Sequence, residues 1–453
     1  MKINYKGFMR ERIRKNPVTI NPSASFFQAQ NLIQEKGVRH LPVVYKNNRL
    51  LGIVTESDIR KAGPSDVDIL KAKEAGYLLR KLKVSTFMTP KEKLVTITPD
   101  ALIEEAIQLM YDYKIGCLPV VEGEKLYGIF TETDAMGHFV DILGLKQQGT
   151  RLTIAVEDKP GMLSGILQIF KKHNVNVISI VSPSFMVEGK RIVATRIKTE
   201  KYQPIVMDLE EEGYPVLSTG KWPSAKKIMK IQYKGFMRER IQKNPVWISP
   251  DTSFNEARNL IHEKGVRHLP VVDKNGKLVG IVTDRDIREA APSDATTFSI
   301  QELNYLLAKL KVSAFMTPKE KLITITPDTL IEEAVQLMHD HKIGCLPVLE
   351  GGKLYGIFTE TDSLHHLVDV FGLKQKGTRL SVALGDKPGT MLGVFEIFEK
   401  HNVNVISLVT PSFMVEGKRI AAIRIRTEKY GSIVKDLEKT DYVVLSIGKW
   451  PSV

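Results

Sequence analysis

Four segments of the sequence place a threonine three residues before an aspartate, directly after a short apolar stretch that begins with glycine. The pairs are Thr55–Asp58, Thr131–Asp134, Thr283–Asp286 and Thr359–Asp362. A threonine followed by an acid at this spacing is close to a capping box, which satisfies free N–H groups at the start of a helix. A helix start also attracts phosphate, whereas a carboxylate there suits hydroxyl donors such as those of ribose. Four repetitions therefore favour nucleotide binding, and a simple helix cap remains the alternative for any single copy.

A proline-containing apolar strand precedes each of these pairs. The prolines are Pro42, Pro119, Pro270 and Pro347, and core packing accounts for most side chains of such strands. The first and third strands begin with the basic pairs Arg39-His40 and Arg267-His268, where the second and fourth have Gly-Cys. Phosphate binding is therefore expected to be strongest near the first type, unless one residue of each pair faces solvent. Arg285 replaces Ser57 in the third segment and adds a forked donor that suits phosphate.

These segments repeat because the chain itself is doubled. Tyr5 matches Tyr233, an offset of 228 residues that holds to the C-terminus without a gap. Roughly seven positions in ten are identical, far beyond chance for a repeat search. Each copy also contains a weaker repeat in which a strand, a helix, a strand, a turn, a strand and a second helix follow one another. The repeat predicts two similar halves that pack together.

The order Leu-Pro-Val, then Gly-Ile-Val/Phe-Thr-x-x-Asp, occurs twice within residues 41–134 and resembles the pattern of CBS domains, which form pairs called Bateman modules. The third part of each copy, from Arg151 and Arg379, resembles an ACT domain. Its strand at 152–156 leads through a turn at 158–163 into a helix and a strand at 174–179. The order CBS-CBS-ACT resembles regulatory proteins of the acetoin-utilisation B type, here present twice.

The resemblance implies an α/β (α+β) fold with four CBS domains in two Bateman modules and two ferredoxin-like βαββαβ ACT domains, related by a pseudo-twofold. The expected domains are CBS 1 at 1–66, CBS 2 with a linker helix at 67–143, ACT 1 at 150–221, a linker at 222–232, CBS 3 at 233–294, CBS 4 at 295–371 and ACT 2 at 378–449. Because one fused chain contains both halves of a dimer, we expect residues 1–143 to stack on residues 229–371 and the ACT regions to face one another. A higher oligomer is left open.

The resemblance also assigns roles to the nucleotide-site residues. In CBS domains the matching aspartate binds ribose, the matching threonine lies at the phosphate, and the backbone of the proline strand faces adenine. Trp247, which replaces Thr19 at the strand that lines the base pocket, would stack on the base or fill the pocket. The resemblance implies an adenine nucleotide such as AMP, ADP or ATP, or S-adenosylmethionine or a dinucleotide, as the ligand, with Mg²⁺ possible if the ligand is ATP.

In amino-acid-binding ACT domains, the ligand approaches the glycine backbone of the turn at an interface between two domains. Gly161 and Gly389 occupy that turn here, and the polar candidates are Asp158, Asn174, Asn176, Asp386, Asn402 and Asn404. Turn formation and a strand-entry cap are the alternatives for these residues. The second copy has Thr390-Met391 where the first has Met162-Leu163, so equal binding by the two copies is not expected.

Several function classes find little support in the sequence. Cys117 and Cys345 are the only cysteines among 453 residues, which excludes a disulfide framework, and both lie in apolar strand patterns that suit packing. No phosphate-loop or nucleophile-elbow motif occurs. His339, His341 and His365 suggest a metal cluster, but the first copy has Tyr111, Tyr113 and Gly137 there, so no metal is expected. The N-terminus has no apolar h-region and the chain no apolar stretch of membrane-spanning length, which predicts a cytoplasmic protein.

We therefore expect a non-catalytic cytoplasmic regulatory protein that binds adenine nucleotides at its CBS pairs and acts on an unidentified target protein. Amino-acid binding at the ACT domains is left open. A nucleotide that bridges two CBS units would change their angle, and residues 144–150 would carry that motion to the ACT pair. A constitutive protein-interaction scaffold with degenerate sites is the main alternative. A nucleic-acid-associated factor, suggested by the net charge of +13, is less favoured.

Overall fold

The computed structural model describes residues 8–62, 79–184, 186–187, 189–222, 236–290, 306–410, 414–415, 417–440 and 442–450. The N-terminal residues 1–7, the start of the expected linker helix at 67–78, the junction at 223–232 and residues 295–305 lie outside the described residues. The described chain forms four small units, called units 1 to 4, at 8–62, 79–143, 236–290 and 306–371. Two sheet domains, called domain A and domain B, follow at 149–222 and 377–450.

The first copy contains units 1 and 2 and domain A. Its elements are α1 (Phe8–Arg12), β1 (Arg14–Lys15), α2 (Phe26–Lys36), β2 (His40–Tyr45), β3 (Arg49–Thr55), α3 (Glu56–Ala62), α4 (Val84–Phe87), β4 (Thr89–Pro90), α5 (Ile103–Tyr113), β5 (Cys117–Glu122), β6 (Lys125–Thr131), α6 (Glu132–Ile142), β7 (Gly149–Val156), α7 (Met162–Lys172), β8 (Val177–Ser182), β9 (Met186–Val187), β10 (Lys190–Ile197), α8 (Gln203–Glu211) and β11 (Val216–Trp222).

The second copy repeats this order in units 3 and 4 and domain B. Its elements are α9 (Phe236–Arg240), β12 (Gln242–Lys243), α10 (Phe254–Lys264), β13 (His268–Val272), β14 (Leu278–Thr283), α11 (Asp284–Ala290), β15 (Thr317–Pro318), α12 (Ile331–His341), β16 (Cys345–Glu350), β17 (Lys353–Thr359), α13 (Glu360–Val370), β18 (Gly377–Leu384), α14 (Thr390–Lys400), β19 (Val405–Thr410), β20 (Met414–Val415), β21 (Lys418–Ile425), α15 (Gly431–Glu438) and β22 (Val443–Trp450).

Helix α2 shows why these segments become helices. The Ser25 side chain accepts a hydrogen bond from the Gln28 N–H, and the Gln28 side chain reaches back to the Ser25 backbone, so a capping box fixes the start. Gly37 ends the helix in the left-handed conformation at φ 60°. Phe26, Ala29 and Ile33 are buried along one face and pack into the core of unit 1.

Within each copy, the short strand that precedes one unit pairs with the sheet of the other. β1 pairs with β6 of unit 2, and β4 pairs with β3 of unit 1. A Cβ atom on Gly52 would lie 2.5 Å from the Thr89 carbonyl oxygen, and one on Gly128 would lie 2.7 Å from the Arg14 carbonyl oxygen. The repeated Gly-Ile-Val/Phe-Thr motif therefore needs glycine, because the backbone of the paired strand from the other unit comes too close for a side chain.

The strand predicted before the first helix of each unit is reduced to one bridging residue. Ile20 forms a parallel bridge with Val43, and its N–H and C=O groups bond Pro42 O and Val44 N at 3.0 Å each. Ile97 repeats this with Val120. Nearby prolines such as Pro22 and Pro99 cannot donate to a longer ladder, which limits the strand.

Domains A and B have the same four-stranded sheet topology, β11-β7-β10-β8 and β22-β18-β21-β19, with α7 and α8 or α14 and α15 packed against the sheet. β8 and β19 pair antiparallel through Val181 and Val409, which joins the sheets into ten strands when β9 and β20 are included. The expected α/β fold and the edge-to-edge arrangement of the two domains are confirmed.

The two copies also pack together through their units. Helices α5, α6, α12 and α13 of units 2 and 4 share one buried core, in which Phe139 and Leu367 are fully buried. Polar contacts between the copies come in reciprocal pairs, in which Arg151–Glu332 is matched by Arg379–Glu104. Arg379 is the repeat counterpart of Arg151, and Glu104 is the repeat counterpart of Glu332, because the residue numbers differ by 228. Such exchange of partners is the signature of a twofold relation, so the fused chain is a pseudo-dimer.

Candidate functional site

All four threonine–aspartate pairs form the capping box. The threonine N–H donates to the aspartate Oδ2 at 2.7–2.9 Å, and its hydroxyl donates to the same oxygen at 2.6–2.7 Å. The aspartate N–H donates back to the threonine Oγ1 at 3.2–3.4 Å. Within the described residues, the second carboxylate oxygen, Oδ1, makes no hydrogen bond. The cap and a ligand contact are therefore compatible at each site.

Burial affects the aspartates of the capping boxes in units 2 and 4, Asp134 and Asp362. Burial raises the pKa of Asp134 and of Asp362, and hydrogen bonds from Thr131 and Thr359 oppose that shift. The Arg14 guanidinium also acts against it at Asp134. Arg14 was missed by the sequence analysis, although its counterpart in the second copy is Gln242 and the mismatch is visible in the repeat. The two sites accordingly differ in local charge.

Eight predicted nucleotide residues line one large open cavity. Its empty volume is about 4200 Å³, including open solvent, and units 3 and 4 supply most of its walls. The eight residues are Arg39, Asp134, Arg267, His268, Thr283, Arg285, Asp286 and Pro347. The lining does not include His40, Pro42, Thr55, Asp58, Pro119, Thr131, Trp247, Pro270, Thr359 or Asp362. The best-formed candidate site is therefore that of units 3 and 4, where Thr283, Arg285 and Asp286 meet the proline strand of unit 4.

The arginines predicted to bind phosphate form ion pairs between the copies. Arg39 Nη2 lies 2.7 Å from Glu360, and Arg267 Nη1 lies 3.3 Å from Glu132 and 3.9 Å from Glu360. Thr133 donates to Glu360 at 3.0 Å, and Thr361 donates to Glu132 at the same distance. The glutamates are buried, whereas the arginine side chains are about one-third exposed. A phosphate that reaches these arginines must share them with carboxylates.

The neighbouring histidines are held neutral. Burial, together with the positive charges of Arg39 and Arg267, lowers the pKa of His40 and of His268 to about 3. Both therefore offer neutral imidazole nitrogens at pH 7. A Cβ atom on Gly344 would lie 3.2 Å from His268 Nε2, so the glycine in unit 4 leaves room for the histidine of unit 3. This explains the glycine of the Gly-Cys sequence in unit 4. At the counterpart in unit 2, a Cβ atom on Gly116 would instead lie 3.2 Å from Glu132 Oε2.

The proline strands are buried, as expected of core elements. The carbonyl oxygens of Pro42, Pro119, Pro270 and Pro347 accept hydrogen bonds at 3.0–3.1 Å from Ile20, Ile97, Ile248 and Ile325. Trp247 is 54% exposed and does not line the cavity. Its predicted role at the base, by stacking or by filling the pocket, stays a prediction.

Two smaller pockets lie between domains A and B. The Gly161 pocket has an empty volume of about 340 Å³ and is lined by Gly161, Arg191 and Asn404 among others. The Gly389 pocket has about 390 Å³ and is lined by Gly389, Arg419, Asn176 and Asp386 among others. Both volumes include open solvent. The structure therefore brings predicted amino-acid-site residues of one domain next to the glycine turn of the other.

Polar contacts hold the walls of both pockets. Asn404 Nδ2 donates to Asp158 Oδ1 at 2.9 Å, and Asn176 Nδ2 donates to Asp386 Oδ1 at 3.1 Å. Burial would raise the Asp158 pKa, but Arg191 and Asn404 hold it below its usual range.

The other two asparagines predicted for the amino-acid site, Asn174 and Asn402, lie outside both pockets. Asn174 and Asn402 have φ near 51° and lie in the turns that end α7 and α14. Neither lines a pocket between the domains. Left-handed geometry accounts for asparagine there.

The described part of the chain shows no arrangement suited to a cysteine nucleophile or to a metal site. Burial raises the thiol pKa of Cys117, and that of Cys345 to about 12, which leaves neither as a ready nucleophile. Among the described residues, no group of three His, Cys, Asp or Glu side chains could hold a metal ion. His365 instead contacts the Tyr111 ring edge-on at 5.0 Å. The same residues include no helix with the length and apolar character that crossing a membrane needs.

Comparisons with known proteins agree with this architecture. The CBS domain family model matches residues 9–65, 84–141, 237–293 and 312–369, and the ACT domain family model matches residues 150–182. A CBS domain-containing protein of Dictyostelium discoideum is 34% identical over 138 residues, which are 30% of this chain and 94% of that protein.

Two further relatives show how far the likeness extends. Inosine-5'-monophosphate dehydrogenase of Aquifex aeolicus is 36% identical over 120 residues, but these are only 22% of the enzyme and 26% of this chain. The crystal structure of protein MJ1225 from Methanocaldococcus jannaschii matches with a TM-score of 0.51 and 20% identity, over 79% of this chain and 99% of that one. That likeness concerns the fold. With four matched segments that together cover half of its length, this chain belongs to the CBS domain family.

Proposed function

We propose that this protein is a non-catalytic regulatory sensor that binds adenine nucleotides at its CBS pairs, with the site of units 3 and 4 as the principal one. The observation that carries the proposal is the Thr283–Asp286 pair, whose Oδ2 completes the helix cap while Oδ1 stays available at a large cavity. A carboxylate oxygen in that position suits ribose hydroxyls, which donate hydrogen bonds.

Charge around this site supports a ligand with phosphate. Arg285 is exposed on the first turn of α11 and lines the cavity next to Asp286. Its guanidinium has the planar fork that pairs with phosphate oxygens. His268 contributes neutral imidazole and Pro347 an apolar wall, which suits the uncharged base. Ribose, phosphate and base thus each have a complementary partner.

A ligand at this site would act on the assembly because the cavity also reaches residues of the first copy. Arg39 and Asp134 line it from units 1 and 2. A nucleotide that draws Arg39 or Arg267 away from Glu360 would alter the contacts between the copies. Such differential binding is what a population shift requires. Amino-acid binding at the Gly161 and Gly389 pockets is the second part of the proposal, and the target protein and cytoplasmic location stay predictions.

Thermal unfolding of the full chain with AMP, ADP, ATP and S-adenosylmethionine tests the nucleotide proposal. A ligand selective for the folded state at 100 times its dissociation constant stabilises by about 2.7 kcal/mol. Asp286→Asn keeps an oxygen acceptor for the cap but removes the charge, so nucleotide affinity should fall at least about tenfold in calorimetry. Glu256→Gln is the matched control, because Ser253 and Glu256 form the same type of capping box away from the cavity. An unchanged melting temperature with every ligand would refute the sensor.

A constitutive scaffold is the second candidate, favoured by the observation that Arg39 and Arg267 are already paired with glutamates. Sites whose polar groups satisfy one another need no ligand. The scaffold predicts partner binding that does not change when nucleotide is added. Partner capture in the presence and absence of ATP distinguishes the two functions.

A further inference from the structure

The two pockets between domains A and B differ at the residue that faces each glycine turn. Gly161 has φ 87°, and a Cβ atom on it would lie 2.8 Å from Glu399 Oε1. Gly389 has φ 82°, and a Cβ atom on it would lie 3.0 Å from Lys171 Cδ. Lys171 and Glu399 are the same position of the two copies, since 171 plus 228 is 399. A carboxylate thus faces one pocket and an ammonium-bearing chain faces the other.

A second position changes the charge in the same direction. At the Gly161 pocket, Glu157 pairs with Lys159 at 2.6 Å. At the Gly389 pocket, Gly385 stands where Glu157 stands in the first copy, and the equivalent lysine, Lys387, has no such neighbour. Lys159 is therefore neutralised within its own turn, whereas Lys387 adds positive charge to the Gly389 pocket.

The other charges near the two pockets largely match. Asp158 pairs with Arg191 and Asp386 pairs with Arg419 in equivalent positions. Asp158 also pairs with Arg426 at 3.2 Å, and the counterpart of Arg426, Lys198, places its positive charge near Asp386.

Beyond these pairs, Glu399 brings a negative charge to the Gly161 pocket. Lys387 brings a positive charge to the Gly389 pocket, and the Lys171 chain lies beside Gly389 without lining that pocket. Among the described residues, none of these three side chains forms an ion pair.

The two pockets also differ in the polarity of one lining residue. Ser164 lines the Gly161 pocket and is buried, and its counterpart Leu392 lines the Gly389 pocket. A homodimer could not make this distinction, because its two pockets would share every residue. Divergence at positions 157, 164 and 171 has given one chain two chemically different pockets.

We infer that the two pockets bind amino acids of opposite side-chain charge: the Gly161 pocket takes a basic amino acid, and the Gly389 pocket takes an acidic one. This inference rests on the amino-acid part of the proposed function and names the ligand class and the residues, Glu399 and Lys171, that select it. Both side chains are exposed and screened by solvent and salt, so we expect a preference of roughly three- to tenfold that weakens at high ionic strength.

Calorimetry on the full chain with L-lysine, L-arginine, L-aspartate, L-glutamate and neutral L-glutamine tests the inference. Wild type should bind one basic and one acidic amino acid per chain, without competition between them. Glu399→Lys should abolish the preference for the basic ligand and leave acidic binding unchanged, and Lys171→Glu should do the reverse. Glu396→Lys is the matched control, because it makes the same charge change on an exposed position of α14 outside both pockets.

The outcomes separate this inference from the proposed function. If amino acids bind but neither Glu399→Lys nor Lys171→Glu changes the charge preference, the inference is wrong and amino-acid binding stands. If Glu396→Lys has the same effect as Glu399→Lys, the preference reflects net charge, and the assignment of Glu399 is wrong. If no amino acid binds, the inference fails together with the ACT part of the proposal, whereas nucleotide binding is measured independently on the same sample. Melting temperatures of the variants, expected within a few degrees of wild type for exposed sites, show that they fold.

Discussion

Arg39 of unit 1 donates a hydrogen bond to Glu360 of unit 4 at 2.7 Å, across the boundary between the two copies. Arg267 approaches the same carboxylate at 3.9 Å. Two arginines predicted to bind phosphate thus share one buried glutamate. A phosphate group bound by these arginines would have to compete with Glu360.

Neutralising that competitor should strengthen phosphate binding. In Glu360→Gln, Arg39 loses its charged partner, and we expect ATP affinity to rise roughly three- to tenfold because a charge-assisted contact to phosphate becomes available. Adenosine, which has no phosphate, should bind as it does to wild type. Calorimetry with both ligands provides the measurement. An equal change for adenosine and ATP would show that Glu360 shapes the cavity and does not compete with phosphate.

The buried ion pair between Arg379 and Glu104 should be the stronger of its reciprocal set. Its side chains are 4% and 7% exposed, against 13% and 15% for Arg151 and Glu332. Arg379→Met removes the nearest countercharge of Glu104 and leaves Arg424 at 3.9 Å, and we expect a loss of about 3 to 5 kcal/mol in the free energy of unfolding, measured with urea. Arg151→Met should cost less. Adding Glu104→Gln to Arg379→Met should recover part of the loss, and a double variant no better than the single one would contradict this assignment.

Acid should destabilise the fold through the histidines whose pKa values are lowered by burial, which include His138 and His366 as well as His40 and His268. Burial lowers the pKa of His138 to about 3 and of His366 to about 4, from 6.5 in the unfolded chain. The groups that face them are Arg12, Glu104 and Asp141 at His138, and Arg240, Glu332 and Asp369 at His366. Because the unfolded state binds more protons below pH 6.5, stability is complete above that pH and declines as the pH falls toward 4.

The melting temperature should therefore fall between pH 7 and pH 5, with no more than about 2 kcal/mol from each histidine. Glu104 and Glu332, whose pKa values are held low by Arg379 and Arg151 despite burial, contribute only at lower pH. His366→Phe should remove only part of this pH dependence, because the pKa values of His40, His138 and His268 are lowered in the same way. A variant with the same slope as wild type would show that other groups take up the protons.

Position 52 should tolerate no side chain, because β4 pairs with β3 directly beside Gly52. Gly52→Ala places Cβ 2.5 Å from the Thr89 backbone oxygen, which cannot move without shifting β4, and we expect a loss of about 1 to 3 kcal/mol. Gly220→Ala is the control, because a Cβ atom there meets nothing within 4 Å. Chemical denaturation of both variants decides the point. Equal stability of the two would mean that β4 does not hold this register in solution.

The local parts of the architecture could be predicted from the sequence. The four capping boxes were visible because threonine and aspartate lie three residues apart, and the topology of domains A and B was implied by the resemblance to ACT domains. The doubled sequence predicted the pairing of the copies. Burial of Cys117 and Cys345 also agreed with their apolar neighbours.

Long-range partners could not be predicted in this way. Arg39 and Glu360 are separated by 321 positions, and no spacing rule connects them. Strands β1 and β4 consist of two residues each, too few for a periodic signal. The sequence therefore could not show why Gly52 and Gly128 must be glycine. Trp247 could be assigned to a pocket only by analogy, and nothing in the sequence indicated that its side chain would be 54% exposed.

The seam between β8 and β19 has a consequence for how the protein behaves at low abundance. In two separate chains, such a seam forms only after an encounter, and dilution would dissolve it. Here both strands belong to one polypeptide, so each half meets the other at a fixed effective concentration. The assembled form is thus available even when very few molecules are present, and the assembled fraction does not vary with protein concentration.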